Sequence, residues 1–177
     1  MTVTISYTNP GSGIALDVAA FAAAAKTIDM AAYALDDPSI VAALLAASRR
    51  AVTIRIYLDR TELEASARGN PTLATTPLHT LISAAGITIK VKESSVLMHL
   101  KSYCVDGATL RDGSANFSTP GETLQDNSVT FITDPAAIAL FQDKFSAMWA
   151  RPDNLTVAQA VQQVHRIGPA PSHLHRR

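Results

Sequence analysis

One cysteine, Cys104, is all that this 177-residue chain contains, so no disulfide forms within it and the fold rests on packing alone. Neither sign of charge predominates. Fifteen Lys and Arg balance fifteen Asp and Glu, which excludes a grossly basic nucleic-acid coat protein and an acidic tail protein, though not a local basic cleft. Long hydrophobic runs are also missing. The richest, Ile14 to Ala25, carries Asp17 and ends at Lys26, short of the ~20 apolar residues that a bilayer span requires. The N-terminus shows no basic start, apolar stretch and small-residue cleavage site in series. As written, the sequence therefore reads as cytoplasmic, with a periplasmic or secreted location left open if a leader has been removed. No repeat occurs at solenoid spacing. What is plentiful is apolar: hydrophobic residues make up 47% of the chain, which excludes intrinsic disorder and, at this length, predicts one domain with a real core.

Stretches of β pattern alternate with helical ones, the signature of an α/β layer fold. Thr2 to Tyr7 alternates with period two and predicts a strand, closed by the turn residues Asn9-Pro10-Gly11-Ser12-Gly13. Residues 14–26 predict a helix buried on more than one face, and Ile28 to Leu35 a second strand. Asp36-Asp37-Pro38-Ser39 supplies a helix start, and Arg49-Arg50 places cations at the negative end of that helix. Val52 to Leu58 is another alternating strand; residues 60–72 are polar, contain Gly69-Asn70-Pro71 and read as a surface loop. A helix over Leu78 to Ala85 and a strand over Ile87 to Val91 follow. In the helix expected over Pro135 to Ala150, Ile138, Phe141, Phe145, Met148 and Trp149 recur at three- and four-residue spacings, a core stripe rather than a cofactor box. Residues 1–150 thus read as the domain, and 151–177 as a peripheral helix and a flexible tail.

Chemistry concentrates in Met98-His99-Leu100-Lys101, followed by Gly113-Ser114-Ala115-Asn116. In an extended strand His99 and Lys101 project from one face. A ring nitrogen that can attack phosphorus beside a cation that stabilises its oxygens suits a phosphate ester. Asp106-Gly107 is a two-residue hairpin signal. That turn would set Tyr103 opposite Leu110, Lys101 opposite Asp112 and His99 opposite Ser114, so that the Ser114 hydroxyl and the Asn116 amide complete a cradle for phosphoryl oxygens; a one-residue bulge would break this register. Blander readings stand beside it. Lys101 and Asp112 could form an ordinary cross-strand ion pair, Asp106 could be only a turn former, and a single histidine is most often structural. His79 reads as structural and Cys104 points away from the His99 face. The H-x-H of His173 and His175, near His165, could bind metal but reads as solvated tail, where Arg166, Arg176 and Arg177 could touch phosphates incidentally. Ser118 is placed to help hold the loop after Asn116.

The pattern H-x-K-x-x-x-x-D at His99, Lys101 and Asp106, with G-S-x-N at Gly113, Ser114 and Asn116, resembles the signature of the phospholipase D superfamily. The strands I-D-M-A-A-Y-A-L and V-T-I-R-I-Y-L-D-R and the aromatic C-terminal helix resemble its small bacterial nuclease branch, so the likeness spans nearly the whole chain. It implies a single α/β domain with a mixed β-sheet flanked by helices on both faces. It also implies a phosphodiesterase that needs no metal and no cofactor. In that family the motif histidine forms a phosphohistidine, a second motif histidine protonates the leaving group and then activates water, and lysine and asparagine hold the non-bridging oxygens; the aspartate supports the site without touching substrate. Only one such motif occurs here, so the resemblance implies a C2 homodimer with both His99 side chains at the shared axis. One departure stands out. Family members usually carry a carboxylate, often glutamate, downstream of the motif asparagine, orienting a histidine; here the stretch is Gln125-Asp126-Asn127-Ser128, with Asn127 in that place and Asp126 the nearest carboxylate. Either the register is shifted and Asp126 serves, or the imidazole lacks its usual partner. The expected function is cleavage of DNA or RNA. Hydrolysis of phospholipid headgroups is the alternative, although no amphipathic membrane-surface helix with a basic face is evident; a catalytically silent nucleic-acid-binding dimer is a third reading.

Overall fold

The computed structural model describes residues 2–9, 11–67 and 73–167, with only the backbone over 164–167. The expected Gly69-Asn70-Pro71 turn, the tail with His173, His175, Arg176 and Arg177, and the side chains of His165 and Arg166 lie outside the described residues. β1 (Val3–Tyr7) leads to α1 (Ile14–Ala23), β2 (Thr27–Ala32), α2 (Pro38–Arg49) and β3 (Thr53–Leu58). Then come α3 (Arg60–Ala67), the short α4 (His79–Ile82), β4 (Ile87–Val91), β5 (Lys101–Val105) and β6 (Thr109–Gly113). The short α5 (Thr119–Thr123), β7 (Ser128–Ile132), α6 (Pro135–Trp149) and α7 (Val157–Ile167) complete the chain order. The strands form one mixed seven-stranded sheet in the order β1-β7-β6-β5-β2-β3-β4, in which β2, β3 and β4 run parallel and the remaining pairings are antiparallel.

Period-two alternation sorts the strand residues between two layers. Ile28 and Met30 of β2, Ile54 and Ile56 of β3 and Tyr103 of β5 pack with Phe21, Ile40, Leu44, Leu63 and Leu81 from the helices on one face. On the other face Ala31, Tyr57, Cys104 and Leu110 meet the α6 stripe of Ile138, Phe141, Phe145 and Met148. Helices thus flank the sheet on both sides. Val157, Ala160 and Val161 of α7 are buried in the first layer. Caps start the helices where the sequence places them: Asp37 accepts from the N–H of Ser39 and Ile40, and Asp134 from that of Ala137, each followed by a proline in the first turn. Among the described residues no helix is long and apolar enough to cross a membrane.

Several local expectations are corrected. α1, expected to be buried on more than one face, buries only Asp17 and Phe21; β2 ends at Ala32 rather than Leu35; and the helix expected over Leu78 to Ala85 is reduced to α4. The stretch from residue 60, read as loop, opens with α3. Asp59 caps it by accepting from Thr61 N at 2.8 Å, Arg60 pairs with Glu64 at 2.5 Å across one turn, and Leu63 and Ala67 are buried. The β5–β6 hairpin is also shifted by one residue. Asp106 and Gly107 do form the turn, at φ of 53° and 64°, with Ala108 N–H donating to Val105 O at 2.9 Å. Ala108 is then left over as a bulge, because the observed pairs are Val105↔Thr109, Cys104↔Leu110 and Tyr103↔Arg111. The turn is anchored elsewhere: the Asp106 carboxylate accepts from the N–H of Ala25, Lys26 and Thr27, each at 2.8 Å. Ser102, not Lys101, therefore bonds Asp112, at 2.6 Å. Neither the Lys101–Asp112 ion pair nor the His99–Ser114 pairing forms.

Candidate active site

His99 sits just before β5, at the sheet edge where the parallel strands β2 and β3 end, the end at which open α/β sheets hold ligands. The segment around it is staked from both sides. Met98 N–H donates to Asp59 Oδ2 at 2.7 Å, and Tyr33 N–H donates to Leu100 O at 2.9 Å. Asp59 is itself buried and its other oxygen caps α3, so one carboxylate ties the start of that helix to the backbone beside His99. The imidazole is exposed. Its ring lies 4.4 Å from that of Tyr33, edge on at 60°.

Lys101 lies beneath, only 4% exposed. Its ammonium donates to His99 O at 2.8 Å and stands 4.6 Å from the Tyr33 ring centroid. Burial pulls its pKa below the usual lysine value of 10.5, against the charges of Glu62 and Asp59 that hold the proton and with that of Arg111 that repels it. Tyr33 thus serves both motif side chains. Its place at the end of I-D-M-A-A-Y is legible in the sequence, but nothing in the spacing marks it as a neighbour of residues 99 and 101.

The second half of the motif is held by its glycines and by β7. Gly113 has φ of 151° and approaches so closely that a Cβ there would lie 2.2 Å from Ser128 O. The Ser114 hydroxyl donates to Asn127 Oδ1 at 2.9 Å and accepts from Ser128 N at 3.0 Å, so it turns to β7 rather than to His99. Asn116 keeps a buried carboxamide oxygen with no hydrogen-bond partner. Its backbone is braced by Gly121, where a Cβ would meet Asn116 O at 2.6 Å, and Ser118 caps the short α5 by accepting from Gly121 N. Phe117 O accepts from Asp36 N and Asp37 N, docking this loop onto the β2–α2 connection.

Asp106 lies at the far end of β5 from Lys101, where it serves the turn. Burial raises its pKa, but the N–H groups of Thr27, Ala25 and Lys26 and the charge of Lys26 outweigh that and leave it below 3.8. Asn127, in the place of the usual glutamate, is spent on structure: it accepts from Ser114 and donates to Gly121 O at 2.9 Å. Asp126 is exposed and accepts from Asn9 Nδ2 at 3.2 Å. Among the described residues no carboxylate is hydrogen-bonded to the His99 ring. Asp126, Asn127, Ser114, Asn9 and Tyr7 line a cavity of about 440 Å³. Among the described residues no cluster of three or more His, Cys, Asp or Glu is arranged to hold a metal ion.

Behind the site lies a charged cluster that sequence reading missed. Arg111, Asp17 and Glu122 are all fully buried. The Arg111 guanidinium reaches Glu122 Oε1 at 2.9 Å and Asp17 at 3.4 Å, and Tyr103 donates its hydroxyl to Asp17 at 2.8 Å. Burial, reinforced by the charge of Asp17 and opposed by that of Arg111, pushes Glu122 from 4.5 up to about 8. Burial also raises Asp17, against Arg111 and Tyr103. Asp17, a lone charge in an apolar helix, was the available signal.

Comparison with known proteins agrees with this architecture. A family model described as cardiolipin synthase, PLD-like domain, matches residues 18–149. The mitochondrial cardiolipin hydrolase of Chlamydomonas reinhardtii is 27% identical over 126 residues, 71% of this chain and 52% of that protein. The protein of the same name from Xenopus laevis is 26% identical over 133 residues, 75% and 59% respectively. The chain thus spans only about half to three-fifths of these relatives. Among solved structures, the phospholipase D family member Nuc from Salmonella typhimurium superposes with a TM-score of 0.71 at 25% identity, over 87% of this chain and 97% of that one. NucT from Helicobacter pylori shares the fold, with a TM-score of 0.68 at 14% identity over 84% and 96%.

Proposed function

Because the chain belongs to the phospholipase D-like domain family, we propose that it is a phosphodiesterase working through a phosphohistidine, with nucleic acid as its substrate. The observation that carries this reading is that the exposed His99 imidazole and the buried Lys101 ammonium both lie against the Tyr33 ring, with the ammonium bonded to the His99 carbonyl. A ring nitrogen of His99 attacks phosphorus, a P–N bond forms and the P–O bond to the leaving group breaks. Lys101 and Asn116 hold the non-bridging oxygens as charge builds on them. A second imidazole, His99 of a second copy, gives its proton to the departing oxygen. It then takes a proton from water as that water displaces His99 from phosphorus. Val96 and Leu97, just ahead of His99, are 72% and 48% exposed, apolar surface suited to cover by that second copy. No step draws on a metal or cofactor.

The match over 97% of Nuc, against 52% of the Chlamydomonas cardiolipin hydrolase, supports this reading. Asp126, the carboxylate next to Asn127, is the residue to test for the orienting part, which it would take by leaving Asn9. A second reading, hydrolysis of a phospholipid diester, is favoured by the curated relatives, which are named cardiolipin hydrolases. The test offers single-stranded DNA, RNA, cardiolipin vesicles and bis(4-nitrophenyl) phosphate, in chelator, to the wild type, His99→Ala and Asp126→Asn. Cleavage of nucleic acid but not lipid, lost in His99→Ala, is expected, along with a lower kcat and a displaced pH profile in Asp126→Asn. Turnover of lipid alone selects the second reading. Activity retained by His99→Ala, or an active monomer in light scattering, overturns the mechanism. Unchanged kcat in Asp126→Asn removes that carboxylate from it.

A further inference from the structure

The backbone ladder between β5 and β6 stops at Tyr103↔Arg111, two residue pairs short of the motif lysine and the G-S-x-N loop. Beyond it, where the two motif halves must be held a fixed distance apart, the segments lose their regular pairing. Arg111 bridges the opening. One guanidinium nitrogen donates to Lys101 O at 2.6 Å and to Ala115 O at 3.1 Å, the carbonyls of the motif lysine and of the residue preceding Asn116. The other donates to Glu122 Oε1 at 2.9 Å. Below, the Phe117 ring lies 4.5 Å from the guanidinium carbon.

We propose that Arg111 is a positioning residue of this site: its buried guanidinium sets the spacing of the Lys101 and Asn116 segments so that both reach one phosphoryl group together. The inference rests on Lys101 and Asn116 being the phosphate contacts. A guanidinium performs this task because one terminal nitrogen bonds both carbonyls while a second, fixed in the same plane, bonds Glu122; a lysine ammonium has three donors but no second nitrogen to fix its direction against the carboxyl. A buried cation must be compensated, and the cluster does so closely. Two carboxyl groups, Asp17 and Glu122, face the one guanidinium, and burial raises the pKa of both, so that they need not both carry charge beside it. α1 supplies Asp17 and α5 supplies Glu122, so elements remote in sequence converge to keep Arg111 in place. The alternative is a purely structural ion cluster, which would govern folding and leave turnover by the folded protein untouched.

The test replaces the pair together. Arg111→Met combined with Asp17→Asn removes both charges while keeping volume and the acceptor for Tyr103, a change that buried ion pairs tolerate. Arg111→Lys keeps the charge without the fork. Circular dichroism and thermal melting establish folding, and steady-state kinetics on bis(4-nitrophenyl) phosphate read the site. For the double variant we expect kcat to fall roughly thirtyfold with KM within about threefold, because the two contacts strengthen as charge develops. Inhibition by orthovanadate, a five-coordinate mimic, should weaken in parallel while the affinity for inorganic phosphate holds. Arg111→Lys should lie between. A folded variant of either kind with kcat within about twofold of the wild type overturns the proposal. Lys101→Ala runs alongside: wild-type kcat in that variant means that the reading of the phosphate contacts has failed, whereas a dead Lys101→Ala beside a fully active Arg111 variant refutes the positioning role alone.

Discussion

Glu122 should make this protein lose stability as the medium turns alkaline. It is fully buried, one carboxyl oxygen bonds Arg111 and the other, which has no partner, presses against Gly13. Burial is the main reason its pKa rises from 4.5 to about 8, with Asp17 and Asp37 adding to the rise and Arg111 opposing it. Between those two pH values the folded chain keeps a proton that the unfolded chain releases. The stabilisation is therefore complete below about pH 4.5 and is lost as pH rises through about 8. At about 1.4 kcal/mol per pH unit the interval amounts to about 5 kcal/mol, a large part of a domain's whole stability. The perturbation is Glu122→Gln, which keeps an acceptor toward Arg111 but has no proton to lose. Urea denaturation of both proteins at pH 5, 6, 7, 8 and 9 reads the effect, and contributions from other titrating groups cancel in the difference. The two should be alike near pH 5, with the variant gaining steadily until it is several kcal/mol the more stable near pH 9 (order of magnitude). A difference that stays constant across the series would refute a protonated Glu122.

The Tyr33 ring should matter more than its hydroxyl. Tyr33→Ala removes the face 4.6 Å from the Lys101 ammonium and the edge contact to His99, worth about 1 to 2 kcal/mol and so about tenfold in kcat/KM. Tyr33→Phe should stay within about twofold, and equal losses in the two variants would exclude the ring. Asp106→Ala abandons three N–H groups that share one carboxylate and should cost about 2 to 3 kcal/mol at neutral pH by denaturant titration. Because the folded pKa lies below 3.8, the deficit should shrink as pH falls through that folded value, and a pH-independent deficit would show that charge plays no part.

What was readable along the chain was whatever depends on neighbours in sequence. Alternation located β1, β3 and β4 to within a residue but carried β2 past its end at Ala32, the α6 stripe buries Ile138, Phe141, Phe145 and Met148 and half-buries Trp149, and Asp37-Pro38 caps α2 as composition demands. The α/β class and the layering of the sheet follow from those elements. The hairpin register did not, because it is set by Asp106 bonding three amides some eighty residues earlier in the chain, a constraint that an Asp-Gly pair does not advertise. α3 was hidden for a similar reason: its polar composition is decided by an Asp59 cap and by Leu63 and Ala67 finding a core. At the site, motif spacing singled out His99, Lys101, Ser114 and Asn116. It could not indicate Tyr33, Asp59 or the Arg111–Asp17–Glu122 cluster, whose members are separate charged or aromatic letters until the chain has folded around them. Charge that ends up buried looks, in one dimension, like charge bound for water.

The outermost pairing of the sheet also bears on how the molecule is assembled. Val3 lies against Ile132 and Tyr7 against Ser128, so β1 has its own partner only once β7, far along the chain, is in place. Non-local closures of this kind are slow to find. Throughout that delay the free rim of β7 offers its amides and carbonyls to any matching strand, including β1 of a neighbouring molecule. Crowded refolding should therefore yield strand-exchanged oligomers, whereas dilution lets each chain close on itself.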